Sequence, residues 1–591
     1  FLDSSKTLTL SGFATSSIAD STTITFTVGS IRNPYNAKTK YGFTIYTLDQ
    51  DSGYIDNYSS TSTDFGFSIT SIATFSSASL DRRFQVTDAG LQTEGYPIFQ
   101  LDFPVDPDCK LQLEFASDMP VTSDLTSVSG VGIFSSLSNL VVDTSSNIVT
   151  VEGCSSFSAA KDPSSGAIFG AVYMSHMVNK AYVEETASFT LTLYAVDGGL
   201  DYDIAQISGL TYNDFTPAPF QTFSVLPVTT YNVQESTTYE ITLLPTNDIP
   251  ATNELVIQFP ADIVLISGSC STTSTGTVTF SPDSCVVASN VITLTNVFGG
   301  SAYEVTDGSF SFIIFSDSDT SQLGTNPTSS NPSFGDFQVN SYYIDGANTF
   351  EIDEQVASTM FTPLATELNA AVTSSSFVTC TSATSYTLTL APLKEVPSNG
   401  LLYVMFPEQI LLSSSSFSSC QASYSGGGSR TLSCSTSDKY PVTLTISNVF
   451  SSFSSGTIDV ELVGMTNPST LATTDSFTIS TMDSSGYDIE TVSTNLAITM
   501  TDISEMTLLE IEPDNFTTGV DSIYTITAIT PCVLSNPTIM TFTVPTEITI
   551  TDIVCTEVRA LRSISCEESG NIVTATITFQ GSKLASGASF Q

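Results

Sequence analysis

Residues 386–390 read Tyr-Thr-Leu-Thr-Leu and set the pattern for the whole chain. In an extended strand this alternation puts the tyrosine and the leucines on one face and the threonines on the other. Similar runs of β-branched and aromatic residues recur throughout, and Pro, Gly, Asn and Asp separate them every 8 to 12 residues or so. No segment sustains an apolar period of 3.6 residues. The sequence therefore predicts an all-β protein of antiparallel, Ig-like β-sandwiches.

The stretch at 386–390 is one copy of a landmark that occurs four times. The front landmark begins at Phe99, Tyr239, Tyr386 and Tyr524. A back landmark begins at Phe43, Phe189, Phe337 and Phe477, and ten or eleven residues before each of these lies Asn33, Asn179, Asn326 or Asn467. Both landmarks return after about 140 to 148 residues, so we predict a tandem array of a unit of about 145 residues, arranged end to end.

The phase of the repeat defines the predicted domains. Three whole units cover residues 84–216, 217–363 and 364–502, and the first of them is the most divergent. Residues 1–83 carry the back half of a unit, and residues 503–591 carry the front half of another. One C-terminal half and one N-terminal half together make a complete unit.

A half sandwich leaves an apolar face and strand edges uncovered, which is costly. Two explanations are open at this point. The first is that residues 1–591 are a mature or excised piece of a longer tandem protein, since residue 1 is Phe. The second is that the C-terminal half of one subunit is completed by the N-terminal half of the next. Such a head-to-tail contact builds a filament unless it closes into a ring.

Composition excludes several classes of function. The 591 residues include 60 acidic and 15 basic side chains, for a formal charge of −45, and Ser and Thr make up roughly 30 % of the chain. Clustered Lys and Arg drive nucleic-acid binding, so we expect no nucleic-acid partner. With a single histidine, His176, catalysis by a Ser-His-Asp triad is improbable, and we expect no enzyme activity and no resident cofactor. The longest apolar run is interrupted at Pro407 and Glu408, so we predict no membrane-spanning segment.

The ten cysteines favour an oxidising, extracellular or cell-surface location. Three close pairs recur after strand-like runs and predict one local disulfide in each of three units: Cys270 with Cys285, Cys420 with Cys434, and Cys555 with Cys566. Cys109 could pair with Cys154. Cys380 and Cys532 have no obvious partner within their own units.

Acidic residues cluster at the predicted hairpin turns: Asp49, Asp51 and Asp56; Asp197, Asp201 and Asp203; Asp345, Asp353 and Glu354; Asp483 and Asp488. Their carboxylates could bind Ca²⁺ at domain edges. The alternative, which we favour because the spacing changes between repeats, is ordinary turn chemistry in which Asp accepts backbone hydrogen bonds. Two sequons, at Asn57 and Asn515, predict covalent glycans.

The recurring arrangement resembles a loose class of proteins. Asn-Pro at 33–34, 326–327 and 467–468, followed by Phe43, Phe337 and Phe477, resembles the tandem Ser/Thr-rich β-sandwich surface or extracellular-fibre proteins of protists, ciliates in particular. Asn179 departs from the pattern because Lys180 follows it. The resemblance covers nearly the whole chain and implies an architectural role.

The sequence therefore predicts an extracellular structural protein, the subunit or repeating segment of a head-to-tail filament whose partner is a further copy of itself. The alternative is a cell-surface adhesin of tandem β-sandwich domains that binds a cell or glycan partner.

Overall fold

The structure of the protein is a computed structural model. It describes residues 7–591 apart from residues 13, 15, 30, 32, 34–35, 41–43, 60–66, 82–86, 102–104, 106–107, 126–127, 136, 138, 154–167, 359, 414–418, 426, 440, 451–455, 507 and 557–560. The chain divides into two compact units, Phe1–Ala218 and Pro219–Gln591.

The first unit contains a hairpin and a two-sheet sandwich. The hairpin pairs Thr44–Leu48 with Tyr54–Ser59. One sheet of the sandwich contains, in spatial order, Leu200–Leu210, Phe189–Asp197, Cys109–Glu114, Ile148–Glu152 and Asn139–Asp143, and the other contains Ser77–Asp81, Gln92–Leu101, Ile168–Val178 and Val128–Gly132. A single hydrophobic core fills the space between them.

The second unit begins with a sandwich whose two sheets are continuous through one strand. Its order is Thr222–Pro227, Tyr239–Leu244, Phe310–Ser316, Gly268–Ser274, Ser284–Ala288, Val291–Thr295, Asn253–Gln258, Phe337–Asp345 and Asn348–Ala357. A small sheet contains Ser236–Thr237, Gly324–Thr325 and Val264–Leu265, and the only helix in the described residues is the 3₁₀ turn Val305–Asp307.

The next sandwich in this unit repeats the plan with two sheets. One contains Thr366–Glu367, Asp488–Val492, Thr478–Met482, Leu401–Met405, Val442–Ser447 and Ser433–Lys439. The other contains Asn369–Ser374, Thr384–Ala391, Ile458–Thr466, Ser419–Tyr424 and Ser429–Thr431, with Leu411–Leu412 also paired to Ile458–Thr466.

The last part of the second unit has fewer strands. Leu508–Pro513, Tyr524–Ile529 and Ser589–Phe590 form one sheet, Thr538–Thr543, Ile572–Phe579 and Leu561–Ser569 form another, and Leu534–Ser535 pairs with Lys583–Leu584. The cluster of buried residues here has seven members, whereas the cluster of the preceding sandwich has 26. These strands therefore enclose a much smaller core.

Burial follows the sequence alternation that predicted the fold. Burial alternates along the strand Thr384–Ala391: Thr384 and every second residue after it are buried, and the residues between them are half-buried. Tyr386 contacts Phe406 at 5.9 Å between ring centroids, and Phe406 contacts Phe477 at 5.2 Å, so the landmark aromatics meet in the core. The prediction of an all-β, tandem antiparallel sandwich protein is confirmed.

One strand lies on the other side of a predicted boundary. Ser77–Asp81, which the repeat phase assigned to the half unit 1–83, pairs with Gln92–Leu101 and forms an edge of the sandwich at 84–216. Phe75 also lies in that sandwich core. The first strand of this unit therefore precedes residue 84, in the same way that Asn369–Ser374 precedes Thr384–Ala391.

Candidate interaction surfaces and domain junctions

The landmark asparagine of each whole unit clamps the start of its own sandwich. The Asn326 side-chain amide donates hydrogen bonds to the carbonyls of Thr230 (2.9 Å) and Asn232 (3.0 Å), and its oxygen accepts one from the Tyr239 hydroxyl (2.8 Å). In the next repeat, Asn467 makes the same three bonds. Its amide donates to the carbonyls of Ser376 and Val378, both at 2.8 Å, and its oxygen accepts from the Tyr386 hydroxyl at 2.7 Å. Burial raises the pKa of both tyrosine hydroxyls, which keeps them as donors.

The divergent unit keeps part of this clamp. Asn179 is buried and donates to the Asp88 carbonyl at 2.8 Å, but Phe99 stands at the tyrosine position and offers no hydroxyl. The carbonyl of the residue after the asparagine accepts a backbone N–H in each case: Lys180 from Gly90, Pro327 from Gln234 and Pro468 from Cys380. Because a backbone carbonyl makes this bond, Lys180 can replace proline.

Gln234, which donates its N–H to the Pro327 carbonyl, also joins the sandwich at 217–363 to the next one. Gln234 has a φ of 54°, and its side chain exchanges two hydrogen bonds with the backbone of Glu395, at 2.7 and 2.8 Å. Lys394 forms an ion pair with Glu235 at 3.2 Å. Nearby, Ser329 donates to Asp483 at 2.6 Å. Side-chain and backbone bonds therefore hold the two sandwiches of this unit together.

A disulfide joins the sandwich at 364–502 to the strands that follow it. Cys380 has a φ of 57°, as Gln234 has, and it is bonded to Cys532, which follows the strand Tyr524–Ile529. The Thr379 hydroxyl accepts a hydrogen bond from the Ser504 N–H at 2.9 Å beside it. The two cysteines that had no partner within their own units are thus joined across a domain boundary.

The remaining described cysteines are also in disulfides. The structure joins Cys270 to Cys285, Cys420 to Cys434 and Cys555 to Cys566. Cys109 is disulfide-bonded and buried, and Cys154 lies outside the described residues.

In the N-terminal hairpin, apolar residues are exposed at positions that are buried in the whole units. Ile45 is 55 % exposed, whereas its counterparts Val339 and Ile479 are fully buried. Ile55 is 64 % exposed, whereas its counterparts Ile352 and Ile489, each at the β-bulge of the same hairpin, are fully buried. Among the residues that the structure describes, no second sheet covers the inner face of this hairpin as one does in the whole units.

The C-terminal half-sandwich is uncovered in a corresponding way. Tyr524 is 42 % exposed, whereas Tyr239 and Tyr386 are fully buried. Ile511 is 51 % exposed, whereas its counterpart Val225 is fully buried. In both regions, therefore, apolar positions that are buried in the whole sandwiches are exposed.

An acidic residue follows the β-bulge in the hairpins of both whole sandwiches of the second unit. Asp353 is buried, accepts a hydrogen bond from the Asn247 side chain at 2.9 Å, and has a pKa raised to about 7 by its burial. Glu490 is buried, accepts from the Leu393 N–H at 2.9 Å, and has a pKa raised by burial. Asp56 is the counterpart in the N-terminal hairpin, where it is exposed and accepts a hydrogen bond from the Thr47 hydroxyl at 3.2 Å.

The structure does not gather the acidic turn residues into metal sites. Asp49 accepts N–H bonds from Asp51 and Gly53, and Asp483 accepts them from Ser485 and Tyr487, which is turn chemistry. The other predicted members are scattered. Asp197 forms an ion pair with Lys38, and Asp201 forms one with Lys110. Glu354 accepts a hydrogen bond from Gln338, whereas Asp203, Asp345 and Asp488 are exposed or half-buried in hairpins. Among the described residues, no group of three His, Cys, Asp or Glu could hold a metal ion.

The two sequons lie in different settings. Asn515 is exposed in a loop, where its side-chain oxygen accepts the Thr517 N–H at 2.9 Å. Asn57 lies in the strand Tyr54–Ser59, opposite Tyr46. No helix in the described part of the chain is long and apolar enough to cross a membrane.

Comparison with known proteins finds distant likenesses only. No protein-family model matches the chain, and no curated protein matches it significantly. The chain is similar to the C-terminal domain of the Streptococcus pyogenes antigen I/II-family protein AspA, with 9 % identity and a TM-score of 0.18 over 54 % of this chain and 99 % of that one. It is similar to the BSP domain of a biofilm-associated protein, with 11 % identity and a TM-score of 0.17 over 89 % and 93 %. It is also similar to the N-terminal domain of the Streptococcus gordonii adhesin Sgo0707, with 10 % identity and a TM-score of 0.19 over 73 % of this chain and 93 % of that one.

Proposed function

We propose that the protein is an extracellular architectural protein that assembles head to tail into a filament. The half-sandwich at 503–591 of one copy is completed by the N-terminal hairpin and the residues before it in the next copy. The role is mechanical and involves no reaction. The disulfides support the extracellular location, since such bonds persist in oxidising compartments.

The observation that carries the proposal is the exposure of matched core positions. Ile45 and Ile55 on one side, and Tyr524 and Ile511 on the other, are exposed where their counterparts in whole sandwiches are buried. Exposed apolar faces of this kind mark association surfaces. Fully burying a side chain the size of isoleucine contributes about 1.5 to 3 kcal/mol, so a few such residues suffice for strong association.

The junctions support a mechanical role. Within the second unit, neighbouring sandwiches are held by the Gln234–Glu395 bonds and by the Cys380–Cys532 disulfide. These links restrict motion between adjacent domains, as a load-bearing array requires. The acid excess keeps separate arrays apart by charge repulsion.

A pair of variants tests the proposal. Ile45→Asp puts a charge on the exposed inner face, and Thr44→Asp puts the same charge on the outer face of the same strand. Sedimentation velocity of the purified full chain should show concentration-dependent polymers for the wild type and Thr44→Asp, and monomers for Ile45→Asp. If Ile45→Asp polymerises as the wild type does, the proposed assembly surface is wrong.

The second candidate function is a cell-surface adhesin, the class named for the Streptococcus gordonii structure above. That likeness is too distant to carry an argument, and the feature of this chain that favours the candidate is its divergent unit. There Phe99 replaces the clamp tyrosine, and buried Lys180 forms ion pairs with Asp118 and Glu184. A glycan array probed with monomeric Ile45→Asp protein tests it: selective binding would support an adhesin, and binding to no glycan would count against one. The resemblance to protist surface proteins and the glycans at Asn57 and Asn515 stay proposals.

A further inference from the structure

The hydrogen-bonded clamp of the whole sandwiches is divided between the two half-sandwiches. In two of the three whole units a front-landmark tyrosine donates to a back-landmark asparagine: Tyr239 donates to Asn326 and Tyr386 to Asn467. Asn179 belongs to the divergent unit, which has Phe99 at the tyrosine position. The landmark tyrosine and asparagine that are left are Tyr524 and Asn33. Both side chains are exposed.

We infer that the half-sandwiches of neighbouring copies join in one fixed register, in which Asn33 of one copy clamps Tyr524 and the backbone before it in the other. The inference rests on the proposed head-to-tail assembly and specifies the contacts that align it. The partner is a second copy of this chain. In the whole units the same three bonds are 2.7 to 3.0 Å long, so the completed sandwich gains a buried polar contact that only one alignment satisfies.

Strand pairing in the whole sandwiches fixes the register. Leu401–Met405 pairs with Thr478–Met482, and Val404 lies opposite Ile479. The repeat makes Thr538–Thr543 the counterpart of the first of these strands and Thr44–Leu48 the counterpart of the second. In the other whole sandwich of the second unit, Ile257 likewise lies opposite Val339. Phe542 of one copy therefore lies opposite Ile45 of the next.

The edges needed for this pairing are available in the described structure. There Thr538–Thr543 is paired only with Ile572–Phe579, and Thr44–Leu48 is paired only with Tyr54–Ser59. In the whole sandwiches the corresponding central strands are paired on both sides. An added strand would use ordinary ladder hydrogen bonds.

Asp56 supplies a second alignment contact. Its N–H donates to the Thr47 hydroxyl at 3.1 Å, as the Asp353 N–H donates to Ser341 at 3.1 Å and the Glu490 N–H to Thr481 at 3.2 Å. The carboxylates of Asp353 and Glu490 bind the loop that follows the front-landmark strand, at Asn247 and Leu393. The corresponding loop for Asp56 is residues 531–533 of the neighbouring copy, which the Cys380–Cys532 disulfide anchors.

These contacts discriminate between registers. A slip of one residue would turn the inward side chains outward. A slip of two residues would keep the apolar faces together but move Asn33 about 7 Å from Tyr524. Apolar burial alone tolerates the second error, whereas the clamp does not.

Cysteine cross-linking of the full chain tests the register. Thr541 and Tyr46 are the counterparts of Tyr403 and Ser480, which lie directly opposite each other. Chains that carry Thr541→Cys and Tyr46→Cys should form covalent dimers and longer multimers under mild oxidation, because opposed Cα atoms lie within disulfide range. The control combines Thr543→Cys with Tyr46→Cys, which stands two residues out of register and should form few multimers.

The outcomes separate the two levels of the proposal. Suppose that the chains polymerise in sedimentation velocity, but only the displaced cysteine pair cross-links, or neither pair does. The proposed register is then wrong, whereas the proposed head-to-tail assembly is still supported. If the chains do not polymerise, the proposed function fails. If the opposed pair cross-links only within one chain, giving a faster-migrating monomer, the partner is not a second copy.

A double-mutant cycle tests the clamp itself. Asn33→Ala and Tyr524→Phe should each raise the critical concentration for polymerisation, and Asn33→Ala should do so about tenfold or more. Since both remove one shared hydrogen bond, the double variant should be hardly worse than Asn33→Ala alone. Strictly additive effects would refute the clamp.

Discussion

Replacing the buried clamp residue Asn467 by alanine should open the sandwich at 364–502. The side chain is only 3 % exposed and makes hydrogen bonds at 2.8, 2.8 and 2.7 Å to Ser376, Val378 and Tyr386. At about 1 kcal/mol for each bond, Asn467→Ala should lower the local free energy of unfolding by about 3 kcal/mol. The Tyr386 hydroxyl would lose its acceptor, whereas the two carbonyls would each keep one bond, from the hydroxyls of Ser374 and Thr381.

Hydrogen–deuterium exchange read by mass spectrometry suits a multidomain chain, in which a single unfolding transition is not defined. A loss of 3 kcal/mol corresponds to a fall of roughly a hundredfold in the protection of amides in Thr384–Ala391 and Ile458–Thr466. Amides of the preceding sandwich, such as those in Tyr239–Leu244, should keep their protection and serve as the internal reference.

Two matched variants show whether the reasoning is right. Tyr386→Phe removes one bond and should cost about 1 kcal/mol, so protection should fall about fivefold. Asn33→Ala changes the same landmark where it is exposed, and in the unassembled monomer it should change stability by less than about 0.5 kcal/mol. Equal effects of Asn467→Ala and Asn33→Ala in the monomer would refute the reasoning, as would unchanged protection in Asn467→Ala.

Three further predictions concern the second unit and the turns. Because burial raises the pKa of Asp353 from about 4 to about 7, the contribution of its protonated carboxyl to the stability of its sandwich is fully present below pH 4. That contribution, up to about 4 kcal/mol, is lost as pH rises through 7. Asp353→Asn should abolish that part of the loss, which the protection of amides in Tyr239–Leu244 against hydrogen exchange at pH 4.5 and 8 would detect, and an unchanged pH dependence would contradict it. Cys532→Ser should destabilise the junction that the Cys380–Cys532 disulfide spans by about 2 kcal/mol or more. Residues 501–506 should then become more susceptible to protease, while cleavage in Leu401–Met405 should not change. If the variant resists protease as well as the wild type does, the disulfide does not tether the junction. Because one oxygen of each carboxylate of Asp49 and Asp483 accepts backbone N–H groups, removal of Ca²⁺ with a chelator should leave the protection of amides in Thr44–Leu48 and Thr478–Met482 against hydrogen exchange unchanged. A clear loss of protection would support the calcium hypothesis.

The sequence was sufficient to predict the fold class, because strand alternation and a period of about 145 residues are local and repeated signals. It located both landmarks but did not reveal that they bond to each other. Tyr239 and Asn326 are 87 residues apart and belong to different strands, and alternation says nothing about which strands become neighbours. The signal that could have joined them is the residue after the asparagine. Tyr239 and Tyr386 occur in units whose asparagine is followed by proline, whereas Phe99 occurs in the unit where Lys180 follows it.

Two other features needed the tertiary structure. Pairing of cysteines within single units leaves Cys380 and Cys532 without partners, whereas their disulfide crosses a junction between units. Aligning Cys380 with Gln234 would have indicated a junction residue. The sequence predicts Asp353 as a turn residue, but the β-bulge between Ser341 and Tyr342 shifts the register and turns its carboxylate into the interior.

Negative-stain electron microscopy of the purified chain over a range of concentrations tests the central claim most directly. If a half-sandwich of one copy is completed by the next copy, filaments should lengthen as concentration rises and should shorten to single chains with Ile45→Asp. Particles of one fixed length at every concentration, unchanged by Ile45→Asp, would contradict the account.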